Sequence, residues 1–347
     1  MKLELEYIWI DGNTEEPKLR SKVMYLEKIN ADNMKPSELP EWSFDGSSTN
    51  QAIGESSDCI LRPVRIYPNP FLVEKPIEHG ISASWFVLCE VYDDNGKVHK
   101  TNSRADVSVN NELLYGFEQE YVILENGKPL GFPCCNNGYP KPQGDYYCGV
   151  GNNVRGRKFA EEHAQYCIAS GINITGTNAE VMLGQWEYQV LSHGTLRAGD
   201  DLWISRYILH RLAEEYNYEI TLHPKPVQGD WNGSGLHCNF SDFIMRHGRN
   251  ETLRKNHFLS ILMSLQERHH EHIKGYGTHN ELRLTGNHET ASINKFSWGY
   301  SDRGASIRIP VKVAKNWRGY LEDRRPASNA DPYKIVKLIH DAIKAAK

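Results

Sequence analysis

The sequence predicts an α+β protein in two parts, a small β-rich amino-terminal domain (1–98) and a larger mixed domain (99–347). Three observations lead there. The chain has 347 residues, where single domains usually run to about 100–200. The positions up to about 98 read as strands and turns. From about Thr101 helical spacings begin, interleaved with short strands that are polar on one face. No internal repeat or low-complexity linker interrupts the pattern.

Taken in order, Leu3 to Ile10 is rich in strand formers, Phe44-Asp45-Gly46 is a turn signal, and Trp85 to Tyr92 reads as a buried strand closed by Asp94-Asn95-Gly96. Helical spacing marks Gly156–Gly171, Asp200–Tyr216 and Arg254–Ile273. Hydrophobic residues at 39% and charged residues at 24% place the chain among soluble globular proteins. The net charge of −4 gives no global field for nucleic acid or an anionic membrane, so an anionic substrate must meet a local cluster of Arg or Lys. Glutamates at positions 4 and 6 stand where a signal peptide would have its apolar core, and no window approaches a membrane span. Seven cysteines without a C-x-x-C pair fit free thiols. A cytoplasmic location is expected.

No G-x-x-x-x-G-K-[ST] occurs, and Gly149-Val150-Gly151 lacks the third glycine of a dinucleotide loop. A nucleotide would therefore be gripped through metals and arginines. In the strand Phe117 to Leu124, alternation points Glu118 and Glu120 the same way as Val122 and Leu124. Buried carboxylates cost several kcal/mol each without a cation or strong donors; a solvated strand end is the commoner account of such a segment. Asn178 to Val190 reads as a hairpin turning at Leu183-Gly184, which sets Glu180 directly opposite Glu187, a repulsion that a divalent cation would reverse. After the loop Asp230-Trp231-Asn232-Gly233-Ser234-Gly235, a strand alternates His237, Asn239 and Ser241 on one face; a lone histidine there is more often structural than a ligand. Glu322 and Arg324 share a strand face and could be no more than a surface ion pair. Five glutamates and one histidine suit Mg²⁺ or Mn²⁺ rather than zinc or copper.

Arg283, Arg303, Arg308 and Arg324 supply four guanidinium groups suited to carboxylate and phosphate. Between Arg283 and Arg303, the polar segment Gly286–Asn294 has the makings of a lid, or of a helix cap at Thr290 or Ser292. His269, His270 and His272, among Glu267, Arg268 and Glu271, read as a solvated helix face.

These segments together resemble the glutamine synthetase family, type II (eukaryotic-type). The resemblance runs in order through Trp42–Thr49, Glu118-Gln119-Glu120, Gly144–Gly151, Gly176–Val181, Gln185-Trp186-Glu187, Trp231-Asn232-Gly233, His288–Asn294, Ala305–Pro310 and Glu322–Pro326. It implies a β-grasp domain followed by a catalytic domain with an antiparallel sheet lining the active site. It also implies a homo-oligomer, usually two stacked pentameric rings, with active sites between subunits. The implied substrates are glutamate, ammonium and ATP, and the implied cofactors are two or more Mg²⁺ or Mn²⁺ ions.

By the same resemblance, Glu120, Glu180 and Glu187 would hold one ion, and Glu118, His237 and Glu322 the other. Arg283 and Arg324, with Asp230, Trp231, Asn232 and Gly233, would bind glutamate. Arg303 and Arg308 would meet the transferring phosphate and nucleotide, with Asn239, Ser241, Tyr320, Glu118 and Glu187 also binding the ATP. Glu289 would close over the acyl phosphate and accept a proton from ammonium, and Asp45 would come from a neighbouring subunit. Where many relatives continue with Gly-Pro, this chain runs Val190-Leu191-Ser192-His193-Gly194, so the nucleotide contacts of that stretch are left open. The tyrosine motif through which type I enzymes are adenylylated is missing. A related glutamate–amine ligase, a guanidino kinase and a non-catalytic ring are the competing readings.

Overall fold

The computed structural model describes residues 2–27, 34–72, 80–133 and 140–346. Cys134 and Cys135 lie outside the described residues. The chain divides into two compact units, 1–106 with 165–172, and 107–164 with 173–347.

The first unit is built on a five-stranded sheet of β1 (Lys2–Ile10), β2 (Leu19–Glu27), β3 (Trp42–Asp45), β4 (Asp58–Pro68) and β5 (Ile81–Tyr92), in the order β2-β1-β5-β4-β3. β1 runs parallel to β5 and the other pairings are antiparallel. Alternation along β1 sends Leu3, Leu5, Tyr7 and Trp9 into a core with Phe44, Leu61, Val87 and Val91. Cys59 and Cys89 belong to that core, Cys167 and Cys238 are also buried, and Cys148 is exposed; all five are free thiols.

The second unit carries a nine-stranded sheet: β6 (Leu114–Glu125), β7 (Lys128–Pro129), β8 (Ile174–Ala179), β9 (Gln185–His193), β10 (Glu219–Thr221), β11 (Leu236–Ser241), β12 (Trp298–Tyr300), β13 (Ile307–Ile309) and β14 (Leu321–Asp323). Its path is β12-β13-β14-β11-β6-β9-β8, with β7 and β10 paired to β6. The helices are α1 (Arg157–Ala169), α2 (Thr195–Tyr216), α3 (Phe243–His247), α4 (Glu251–Glu267), α5 (His269–Gly275), α6 (Val311–Asn316) and α7 (Pro332–Ala345). α2 packs on β6 and β9 and against α7. No described helix is long and apolar enough to cross a membrane.

Two expectations need correction. The helix read over Arg254–Ile273 is broken at Arg268, which ends α4 and caps α5. The break turns α5 inward, so His269 and His272 are 4% and 0% exposed rather than solvated. The Glu180–Glu187 register is off by two positions. β8 ends at Ala179, and the turn takes Glu180 to Gly184, so Asn178 faces Glu187. Gly184 sits at φ 83°, and a Cβ there would come within 2.8 Å of the Leu130 carbonyl oxygen.

Behind β6 lies the anchor of the site. Gln119 points away from Glu118 and Glu120, and its Oε1 accepts from Arg206 Nε of α2 at 2.8 Å. Arg206 Nη2 donates to the carbonyls of Ser328 (2.9 Å) and Ala330 (3.0 Å). Ser328 Oγ donates to the Glu120 carbonyl at 2.6 Å. Arg206→Met should leave Gln119 Oε1 and the Ala330 carbonyl without that donor, while the Ser328 carbonyl keeps Gln119 Nε2 at 3.1 Å, and should lower stability by about 2–4 kcal/mol. A melting temperature within a degree or so of wild type would refute this account of Arg206.

Candidate active site

Register brings the sequence-predicted carboxylates to one face of the sheet. Glu120 lies directly opposite Glu187 across β6 and β9, and Glu118 lies opposite His237 across β6 and β11. On β14, Glu322 pairs with Asn239 on one side and with Arg308 of β13 on the other. Each side chain reaches the same space because strand side chains alternate.

His237 is the hub. Its Nδ1 is 3.5 Å from Glu118 Oε2 and 3.7 Å from Glu322 Oε1, and its Nε2 is 4.0 Å from Glu120 Oε1. Arg283 Nη2 is 2.9 Å from Nε2; a guanidinium only donates, so Nε2 accepts. Burial, followed by Arg324 and Arg283, holds the imidazole well below its ordinary pKa, leaving it neutral, the form that ligates metal. The close packing depends on Gly235, where a Cβ would lie 2.5 Å from Arg283 Nη2.

Burial raises the carboxyls of Glu120, Glu180 and Glu187 above the usual range. Arg283 opposes the rise at Glu120. Neighbouring carboxylates add to it at the other two, Glu120 for Glu180 and Glu118 for Glu187. Glu120 Oε2 accepts from the Gly235 N–H (2.9 Å) and Gln185 Nε2 (3.1 Å), and Glu180 Oε1 accepts from Asn178 Nδ2 (2.9 Å). Glu322 accepts from Arg308 Nη1 and Arg324 Nη1, each at 2.6 Å. Possible ligand atoms of Glu118, His237 and Glu322 lie within 4.8 Å of one another, as do those of Glu120, Glu187 and His237. Glu180 joins neither group. This hard, crowded donor set fits divalent cations bound by oxygen.

Beside the cluster is a cavity of 470 Å³ lined by Glu118, Gln189, Leu191, Asn239, Ser241 and Tyr320, among others. It includes Leu191, from the stretch whose contacts the sequence left open. On the other side Trp231 is buried against Phe132 and Tyr146, and Gln143 Nε2 donates to Asn232 Oδ1 at 2.8 Å. Asp230 is exposed, 3.5 Å from His288 Nε2. Arg303 lies in the β12–β13 loop, its carbonyl accepting from Arg324 Nε at 2.9 Å.

The Gly286–Asn294 segment is a loop; no helix starts there, and Thr290 Oγ1 instead donates to the carbonyls of Asn287 (2.8 Å) and Arg283 (3.1 Å). At its tip His288 and Glu289 have φ of 52° and 59°. Left-handed backbone at such residues costs about 1–2 kcal/mol each. Glu289 is exposed, and its carbonyl lies 3.5 Å from Arg324 Nη2.

Asp45, in the first unit, accepts at Oδ1 from the Ser47 N–H (3.0 Å) and Oγ (2.6 Å), and at Oδ2 from Ser48 Oγ (2.6 Å). Those hydrogen bonds lower its pKa. Gln143, Gln185 and His288 escaped the sequence reading. Their only signal was position, Gln185 and His288 opening two of the resembling segments and Gln143 standing just before the one that begins at Gly144.

The family model described as glutamine synthetase, beta-Grasp domain, matches residues 3–94, and that of the glutamine synthetase catalytic domain matches residues 98–276. A glutamine synthetase of Emericella nidulans is 48% identical, covering 97% of this chain and 91% of the relative. That of Bradyrhizobium diazoefficiens is 46% identical, with 97% and 95% covered. The solved Plasmodium falciparum glutamine synthetase has the same fold, with a TM-score of 0.76 at 18% identity over 99% of this chain and 73% of that one. With both domain models matched in sequence order and relatives near half identical along their length, the chain belongs to the glutamine synthetase family.

Proposed function

We propose that the chain joins ammonia to L-glutamate while converting ATP to ADP and phosphate, by way of γ-glutamyl phosphate. The observation that carries this reading is the single sheet face on which carboxylates and a neutral imidazole converge beside Arg283, Arg308 and Arg324. A carboxylate is a poor electrophile, and phosphorylation supplies the leaving group that ammonia then displaces. Such chemistry asks for charge neutralisation, positioning and exclusion of water.

Glu118, His237 and Glu322 would hold one divalent ion, and Glu120, Glu180 and Glu187 another. Bound there, Mg²⁺ or Mn²⁺ would neutralise the negative charge of the phosphates during transfer. Asn239, Ser241 and Tyr320, which line the cavity, would contact ATP. Arg283 and Arg324, with Asp230, Trp231, Asn232 and Gly233, would orient glutamate, while Arg303 and Arg308 would face the transferred phosphoryl group. Glu289 would shut out water and take a proton from the incoming ammonium. Asp45 of a neighbouring subunit would help bind that ammonium. Domains of 1–98 and 99–347, assembly as two stacked pentameric rings and a cytoplasmic location complete the proposal.

The assembled protein given ATP, Mg²⁺, glutamate and ammonium should release glutamine, ADP and phosphate in equal amounts; ADP failing to appear would remove the enzyme reading. Glu289→Ala should cut the rate of glutamine formation by about 10²–10⁴ with little change in KM for ATP, and unaltered turnover would sink the role given to Glu289. Histidines held neutral by burial, such as His163 and His237, add stability as pH rises through the unfolded histidine range at about 6.5, so the raised carboxyls set the sign of the pH dependence above about pH 7.5. A glutamate whose folded pKa is raised, as Glu180's is to about 8, contributes stability that is lost as pH climbs through that value. Metal-free protein should therefore melt at progressively lower temperature from about pH 7.5 to 8.5, and saturating Mn²⁺ should flatten the slope. A flat profile without metal would contradict the electrostatic account.

A further inference from the structure

His269 opens α5, is buried, and takes no part in the reaction proposed above. It faces Arg325, whose Nε and Nη2 donate to the two oxygens of Asp323 at 2.9 and 2.7 Å. Arg325 Nη1 is 3.2 Å from His269 Nδ1. Since a guanidinium can only donate, Nδ1 accepts and the ring proton sits on Nε2. That N–H donates to the Ile293 carbonyl at 2.9 Å. The Ile293 N–H in turn donates to the Leu284 carbonyl at 2.9 Å, and Thr285 and Ser292 bridge one step further along. Both backbone polar groups of Ile293 are thus anchored, and Glu289 stands four residues before it on the strained tip.

The space enclosed by His269, Leu284, Thr290, Ser292 and Arg324, among others, has no room for water. With the ring in place the Nε2–H contact to the Ile293 carbonyl is direct, with no water between. Arg324 and Arg325 then act on the two ends of one loop: Arg324 lies against the Glu289 carbonyl at the tip, and Arg325 reaches the foot through His269.

We propose that His269 is a positioning residue that ties the segment carrying Glu289 to the buried Asp323–Arg325 pair and so sets where Glu289 stands. The inference rests on the role given to Glu289 above. It differs from a packing role because one ring proton, on Nε2, carries it.

Three variants of the assembled enzyme separate these roles. His269→Phe keeps a ring beside Phe296, whose centroid is 5.8 Å away, but has no ring nitrogen. His269→Gln keeps a donor at the reach of Nε2, and His269→Asn keeps an amide only near Arg325. Hydrogen exchange of amides 284–294 should quicken at least about tenfold in the Phe and Asn variants, with β6 and β11 unchanged, and stay near wild type in Gln. Glutamine formation should fall about tenfold or more in Phe and Asn, with KM for ATP held, and His269→Phe should cost nothing further on a Glu289→Ala background. Unchanged exchange in the segment, faster exchange throughout the chain, Gln no better than Phe, or a full additional loss beside Glu289→Ala would each overturn the proposal. If His269→Phe does not fold, Gln against Asn makes the same decision. A wild-type enzyme that makes no glutamine would end the reading of Glu289, while the exchange comparison would still decide the anchoring.

Discussion

Crowding of like charge on one sheet face is the constraint around which the rest of the second unit is arranged. Glu187, Glu120 and Glu118 are set by backbone register on adjacent strands, and Glu322 enters the same space from β14. Register cannot relax one of these side chains without turning neighbours to the other face. The repulsion is therefore fixed by the fold and must be met by donors, by protonation or by a cation. Arginines meet it at Glu322, and hydrogen bonds from Gly235 and Gln185 meet part of it at Glu120. Burial and mutual repulsion leave Glu180 and Glu187 raised, so those two carry the largest uncompensated demand for positive charge.

Strands under this load need a firm rear face. On β6, Gln119 turns back between Glu118 and Glu120 and is held by Arg206 and Ser328. On β14, Asp323 turns back behind Glu322 and is held by Arg325 and by Tyr276 Oη at 2.8 Å. Both strands thus place an acceptor on the rear face, clamped by a buried arginine, behind a carboxylate on the front. An apolar residue at position 119 or 323 would pack, but it would give the strand no directional hold. Preorganisation of charged groups depends on such hold, because a carboxylate free to move would drift away from its neighbours.

Much of the site was legible because strand alternation is local. Glu118 with Glu120, and His237 with Asn239 and Ser241, could be assigned to faces from a few residues each, and the structure keeps those faces. The order β14-β11-β6-β9 was not legible, since it pairs segments far apart in sequence, and nothing in one sequence reports which strand lies beside which. The Glu180 register failed for a smaller reason. A two-residue turn at Leu183-Gly184 is the economical hairpin, but the chain leaves the ladder after Ala179 and turns through Glu180 to Gly184, where the Leu130 backbone leaves no room for a Cβ. The buried histidines were misread because their sequence neighbours are charged. Their surroundings are decided by Arg268, where the helix breaks, and by Arg325, 56 positions on from His269.

The loop bearing Glu289 shows why the same rules that build the sheet would not serve the residue at its edge. A group that admits substrate and then excludes water, the role proposed for Glu289, could not be held by a ladder of backbone hydrogen bonds, for opening would break them all. Here the holding is divided. The foot is tied at Ile293 and across Thr285 and Ser292, while the tip at His288 and Glu289 stays in left-handed backbone with few bonds of its own. Strain of that size at two consecutive residues favours any rearrangement that relieves it, and the tied foot limits such rearrangement to the tip. The tied foot thus leaves the strain in the few residues between Gly286 and Thr290, where the Glu289 carbonyl meets Arg324 and Thr290 Oγ1 meets the Arg283 carbonyl.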